Sequence, residues 1–228
     1  MRRYACIFAV MIIVVLSFAK AEEAPTILFR GNEWGASFDD VKSSFPVEIQ
    51  WYSLEPDSSF SVLDHMLGNH KRYYDGHVCC YTSAASYSLK DFEVAGYDIS
   101  YVQLRFAYVP DENGLIVEDA EHTALYYAKY RIDCRNTLTV FKDLKSKLDT
   151  LYGDISVKSW PEYSFTETYL TWYAEDGTMV SLMQSFGRSN PFIEIMYGFS
   201  GGDDLLDAAR DALAYGESLI SPTNYNGL

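Results

Sequence analysis

TALYYAKYRIDCRNTLTVFKDLKSKLDTLYG, residues 123–153, holds both periodicities from which this chain is built. Up to Asp133 the pattern repeats every two residues, as in a strand with two unlike faces. Ala124, Tyr126, Ala128, Tyr130 and Ile132 fall on one side, and Leu125, Tyr127, Lys129 and Arg131 on the other. From Asn136 to Tyr152 the spacing becomes helical. Leu138, Phe141, Leu144 (with Lys145 at the edge), Leu148 and Leu151 line one face, and Gly153 stands where a left-handed residue closes a helix.

The same two patterns recur on either side. Residues 77–89 and 98–109 read as strands before the 120–133 strand, with PDENG at 110–114 as a turn. Residues 168–174, 178–186 and 192–199 read as strands after the helix, with the Asp-Gly turn of EDGT at 175–178 between the first two. Near the start, 26–30 reads as a short strand. A helix then follows, with Ser37 as its cap, Asp40 completing a capping box, and Phe38, Val41 and Phe45 as its apolar stripe before Pro46. Residues 47–76 read as irregular, and Asp203–Tyr215 as a last amphipathic helix ended by Gly216. Helices set apart from runs of antiparallel strands predict an α+β fold, an antiparallel sheet with helices packed on one face. FDDVKSSF at 38–45 echoes FKDLKSKL at 141–148, which suggests two duplicated helix-plus-sheet halves.

The ends bound the compartment. Arg2 and Arg3, the apolar run 4–18 and Ala19-Lys20-Ala21 have the layout of a secretory signal peptide, and the run is short of a bilayer span; the alternative is that the segment is kept as an N-terminal anchor. Cleavage after Ala21 leaves 228 − 21 = 207 residues, enough for a single α+β domain over 22–216 with a loose tail at 217–228. The segment removed holds three cations and no acid, so the charge becomes (18 − 3) − 32 = −17. An extracytoplasmic protein, secreted or periplasmic, is expected, with no membrane span after cleavage. So acidic a chain repels nucleic acid.

Of the cysteines, Cys79, Cys80 and Cys134 remain after cleavage. Adjacent strand residues face opposite ways, so only one of Cys79 and Cys80 can share a face with Cys134. Strand parity favours a Cys80–Cys134 disulfide; the alternative is that all three stay reduced.

The stretch GNEWG at 31–35 sits between a strand and a helix, as a phosphate loop does, but it lacks both phosphate-loop spacings and puts Glu33 where an anion would lie. It reads as a packing turn. Asp75, His77 and Cys79 alternate, and on a strand would share one face as a metal or thiol site. No established metal spacing, nucleophile motif or distinct carboxylate pair accompanies them, so no catalytic residue, metal or cofactor is assigned. The tyrosines are more informative. Val102, Leu104, Phe106 and Tyr108 oppose Tyr101, Gln103 and Arg105, and Leu170 and Trp172 oppose Tyr169, Thr171 and Tyr173. One sheet face is apolar. The other mixes Tyr with Arg and Lys, residues that favour recognition surfaces but are also ordinary on a solvated sheet.

FRGNEWGASFDDVKSSF, FKDLKSKLDTLYGD and TWYAEDGTMVSL together resemble a pattern in uncharacterised secreted bacterial α+β proteins, in which Gly-x-x-Trp-Gly-x-Ser leads into a helix and Tyr-Gly closes another. More distantly, helix-then-sheet halves resemble the beta-lactamase-inhibitor-protein architecture, whose sheet face holds a protein partner. The reading is therefore a secreted, non-catalytic binding module. Its face would be Tyr101, Arg105, Tyr127, Lys129, Arg131, Tyr169 and Tyr173, and its partner a protein or a cell-envelope glycan. The alternatives are a hydrolase or metal-dependent enzyme around Asp75, His77 and Cys79, and a structural envelope protein.

Overall fold

A computed structural model describes residues 32–45, 49–69, 71–73, 75–85, 87, 89, 92–159, 167–185 and 191–220. The signal segment, the 26–30 strand, Pro46 and the tail from 221 lie outside the described residues. The chain is α+β. Its helices are α1 (Phe38–Ser43), α2 (Val62–Met66), α3 (Thr137–Tyr152) and α4 (Gly202–Ile220). Its strands are β1 (Glu55–Pro56), β2 (Cys79–Ala85), β3 (Glu93–Val94), β4 (Tyr97–Asp98), β5 (Tyr101–Tyr108), β6 (Thr123–Asp133), β7 (Val157–Ser159), β8 (Glu167–Tyr173), β9 (Thr178–Ser185) and β10 (Phe192–Phe199).

Eight strands form one antiparallel sheet in the order β1-β2-β5-β6-β10-β9-β8-β7, and β3-β4 is a separate hairpin. Each half contributes four antiparallel strands in chain order, β1-β2-β5-β6 after α1 and β7-β8-β9-β10 after α3. The last strands of the two halves, β6 and β10, lie side by side at the centre. The echoed octapeptides occupy equivalent places. Phe38, Val41 and Phe45 at α1, and Phe141, Leu144 and Leu148 on α3, are buried in the same core cluster.

Local chemistry explains the helix ends. The Ser37 side chain accepts from the Asp40 amide at 3.3 Å and donates to its carboxylate at 2.8 Å, closing the first turn of α1. Asn136 accepts from the Thr139 amide at the start of α3, and Gly153 follows its end with φ of 80°. The stripe of α3 is Thr137, Val140, Phe141, Leu144 and Leu148. Leu138 and Leu151, expected on it, are 54% and 71% exposed. Leu138 stands roughly 100° off the stripe at one residue's rotation from Thr137, and Leu151 falls in the last turn. Helix α4 continues through Gly216 to Ile220. A glycine that keeps helical φ weakens a helix by about 1 kcal/mol and does not end it.

The packing turn before α1 is fixed by β6. Gly35 N donates to Leu125 O, and Leu125 N to Ala36 O, both at 2.9 Å. Trp34 Nε1 donates to Thr178 Oγ1 at 2.8 Å, and its ring stacks on Phe199 at 6.0 Å. Beside this turn β6 carries a bulge. Arg105 pairs with Tyr127, whereas Phe106 pairs with Leu125, leaving Tyr126 as the extra residue. Strict alternation therefore fails at this point. Leu125 joins Ala128, Tyr130 and Ile132 in the core under α1 and α3, and Tyr126 joins Tyr127 on the opposite face.

α1 and α3 take one face, but the expectation that the helices share a single face is corrected. α2 and α4 cover much of the other, with Phe60, Val62, Met66, Leu206 and Ala209 in a second core. α2 lies in the segment read as irregular, and its signal, Ser61 capping Asp64, repeats that of Ser37 and Asp40. It is clamped at both ends from elsewhere. Asp203 of α4 accepts from Val62 N at 2.9 Å and Ser61 Oγ at 3.1 Å. Thr171 and Ser181 donate to Met66 O at 3.1 and 2.9 Å, and Ser159 to Leu67 O at 2.8 Å. Its close approach to β10 requires Gly198, where a Cβ would stand 2.7 Å from Val62 Cγ1 and 3.2 Å from Met66. Gly198→Ala is expected to lose about 1–3 kcal/mol by overpacking, measured by urea unfolding; an unchanged midpoint would remove the close approach.

Candidate functional site

Register across the second face sorts the seven nominated side chains. Tyr81, Arg105 and Tyr127 lie opposite one another on β2, β5 and β6, and Gly198 continues that row on β10. The next rows hold Gln103 beside Lys129, then Tyr101 beside Arg131 and Glu194. The expectation of one open Tyr/Arg surface is corrected. Arg105 is 3%, Tyr127 0% and Tyr169 1% exposed. They lie in the cover formed by segment 57–60, α2 and α4. Tyr173 is exposed, but it sits on β8, four strands from β5. That is about 19 Å across the sheet at ordinary strand spacing.

Tyr101, Lys129 and Arg131 stay together and half-buried. Lys129 Nζ donates to Glu194 Oε1 at 3.1 Å and lies 5.9 Å from the Tyr101 ring centre. Arg131 Nε donates to Asp133 at 2.9 Å, and its guanidinium lies 3.7 Å over the half-buried Phe192 ring. Cation, carboxylate and aromatic ring alternate along this strip.

Under the cover, the Arg105 guanidinium makes a close ion pair with Asp57, donates to Ser58 O at 3.3 Å and stacks 4.7 Å over Phe60. Burial opposes its charge, yet its neighbours hold its pKa above the ordinary value. Tyr126 lies beside Arg105 and Cys79, and burial pushes the hydroxyls of both Tyr126 and Tyr127 well above the usual tyrosine pKa. Neither hydroxyl makes an aligned hydrogen bond; Tyr126 biases the ionisation of Arg105 and Cys79 by proximity. Next to this group, Ser59 N and Oγ donate to Asp75 at 2.9 and 2.6 Å. Arg210 of α4 donates to Asp75 and Ser59 at 3.0 and 2.6 Å.

The Asp75–His77–Cys79 alternation does not converge. Residues 76–78 form a turn, closed by Val78 N donating to Asp75 O at 2.9 Å, so strand parity begins only at Cys79. Asp75 faces Ser59 and Arg210, His77 reaches Glu118 at 2.7 Å on the surface, and Cys79 is buried. Among the described residues no group of three His, Cys, Asp or Glu is placed to hold a metal ion, and no helix is long and apolar enough to cross a membrane.

The Cys80–Cys134 bridge is also corrected: all three described cysteines are free. Cys80 pairs with Phe106 and Phe106 with Leu125, so Cys134 stands nine residues further along the chain than Cys80's row. At about 3.3 Å per residue that is roughly 30 Å, beyond any disulfide reach. Parity was right in one respect, since Cys79 and Cys80 enter opposite cores. Asp57 and Phe60 carry no signal in the sequence because loop residues have no periodicity, and Asp203 and Arg210 read there as the solvated face of an amphipathic helix. Asp203 sits in a first helical turn, and that position was the one available hint.

No protein-family model, curated protein or solved structure matches this chain.

Two predictions follow from the buried groups. Arg105→Met should destabilise the fold by about 3–5 kcal/mol, by leaving Asp57 unpaired, and adding Asp57→Leu should recover most of that loss; equal unfolding midpoints for single and double variants would contradict the pairing. Burial, with Asp75 nearby, pushes the Cys79 thiol up to about 12, and burial pushes Cys80 to about 12. Both bind protons more tightly folded than unfolded, so stability is full below their ordinary pKa of 9.0 and falls as pH rises from there towards 12. In native protein at mildly alkaline pH, mass-mapped alkylation should mark Cys134 and spare Cys79 and Cys80 until denaturant is added.

Proposed function

We propose that this protein is an extracytoplasmic, non-catalytic binding module that meets its partner through the strip of Tyr101, Lys129 and Arg131. The observation that carries the reading is the unequal covering of one sheet face. Helices α2 and α4 and segment 57–60 bury Arg105, Tyr127 and Tyr169, whereas Tyr101, Lys129 and Arg131 stay half-exposed beside Phe192. Cationic side chains held against aromatic rings, with carboxylates alongside, give a surface with fixed donors and little rotamer freedom to lose on binding. The chain is acidic overall, at −14 before any cleavage, so two cations fixed on one strip are a local departure. The partner is a protein or a cell-envelope glycan.

Tyr101→Ala with Arg131→Ala tests the strip. The unaltered protein should co-sediment with isolated cell envelopes from the producing cells, and the double variant should bind at least about tenfold more weakly. Its stability should change by no more than about 1 kcal/mol, since both are surface sites. Absence of binding by the unaltered protein, or undiminished binding by the variant, would refute the reading.

A further inference from the structure

We infer that the ligand of this face is a neutral glycan, with Glu194 and Gln103 as further binding residues beside Tyr101, Lys129 and Arg131. The inference rests on the strip reading and names the chemistry of its ligand. Gln103 and Tyr101 come from β5, Lys129 and Arg131 from β6 and Glu194 from β10, so the strip spans three adjacent strands. Its charges balance. Lys129 bonds Glu194 and Arg131 bonds Asp133, two cations against two carboxylates, on a chain where acids outnumber bases by 32 to 18.

The Lys129–Glu194 pair selects against a charged ligand. Glu194 is 8% exposed, and its Oε1 accepts from Lys129 Nζ at 3.1 Å. An anionic ligand would have to draw Lys129 away and leave a nearly buried carboxylate unpaired, which is costly. A cationic ligand would have to take Glu194 from Lys129 and strand the ammonium two residues from Arg131 on the same face. A hydroxyl does neither. It donates and accepts at once, so it fits against a carboxylate and an ammonium that stay bonded to each other. The second Glu194 oxygen makes no hydrogen bond among the described residues and is not enclosed. Gln103, half-buried in the row of Lys129, makes no side-chain hydrogen bond among the described residues either, and its amide offers one acceptor oxygen and two donor hydrogens. The half-buried Tyr101 ring lies beside them, its centre 5.9 Å from Lys129 Nζ. An aromatic face carries negative charge density and takes the C–H face of a sugar ring.

The same features argue against a protein partner. Charged residues are depleted at the centre of protein interfaces, where aromatic and apolar anchors are buried. The strip has four paired charges, and the exposed Leu63, Leu138, Leu151 and Leu219 lie on helices and not on it.

Co-sedimentation with isolated envelopes of the producing cells tests this, with envelopes left untreated, digested with protease, or oxidised with periodate, which cleaves the vicinal diols of sugars. Periodate is expected to remove binding and protease to leave it. Raising salt from low to a few hundred millimolar should change the affinity by no more than about twofold, because no net charge is neutralised on binding. Gln103→Ala should weaken binding about threefold to tenfold, the loss of one hydrogen bond, with an unchanged unfolding midpoint. Glu194→Gln should weaken it at least as much, and Gln103→Ala carries the test if that variant does not fold. Binding that survives periodate, is lost to protease, falls tenfold with salt or is unchanged in Gln103→Ala overturns the inference. If Tyr101→Ala/Arg131→Ala still loses envelope binding in such a case, the ligand class falls and the strip reading stands. If the unaltered protein binds no envelope, or the double variant binds undiminished, both fall.

Discussion

The buried pair of Arg105 and Asp57 decides how the second face of the sheet is used. A guanidinium in the middle of β5 needs a countercharge once water is removed, and the loop after β1 supplies it. That contact draws Ser58, Ser59 and Phe60 onto the strands, and Phe60 stacks under the guanidinium. With the loop in place, α2 lies over Gly198, where no side chain intervenes. Five residues make too short a helix to persist alone. It is held by Asp203 at its start, by three hydroxyls at its end, and by burial of Val62 and Met66. Each such buried side chain contributes about 1.5–3 kcal/mol.

The bulge at Tyr126 is the second constraint. One extra residue in β6 sends Leu125 into the core beneath α1 and α3 and turns both Tyr126 and Tyr127 towards α2 and α4. Beyond it, the ladder position next to Leu125 is taken by Gly35 and Ala36. The turn GNEWG thus splices the N-terminal segment to the centre of the sheet, where the two halves meet. The buried polar layer of Arg105, Tyr126 and Tyr127 on the other side of that seam leaves Arg105 Nε and both tyrosine hydroxyls without an aligned hydrogen bond among the described residues. A polar layer of this kind sets register and position more than it adds stability.

What remains half-exposed on the second face is a strip beside covered regions. Its pairing of cations with aromatic rings and carboxylates is what the proposed binding role rests on. Asp75 and Asp203 are engaged with amides, hydroxyls and, for Asp75, a guanidinium, and the histidine and thiol that invited a catalytic reading are separated by a turn and by burial.

Much of the fold was legible in the sequence because it is local. Period two in 98–109 and 168–174, the caps at Ser37 and Gly153, and the Asp-Gly turn at 176–177 each specify an element and its apolar side from residues close in the chain. The site was legible only in part. Tyr101, Lys129 and Arg131 share an open strip as the alternation implied, while Arg105, Tyr127 and Tyr169, with the same polarity and the same parity, are buried. Nothing in a strand's own pattern distinguishes a tyrosine covered by water from one covered by a loop. By itself the sequence determined the elements, the antiparallel α+β class and the apolar face that takes α1 and α3. The tertiary structure alone decided the face that α2 and α4 cover, because that depends on an ion pair 48 residues apart, on one glycine and on one inserted residue, none of which has a period to read.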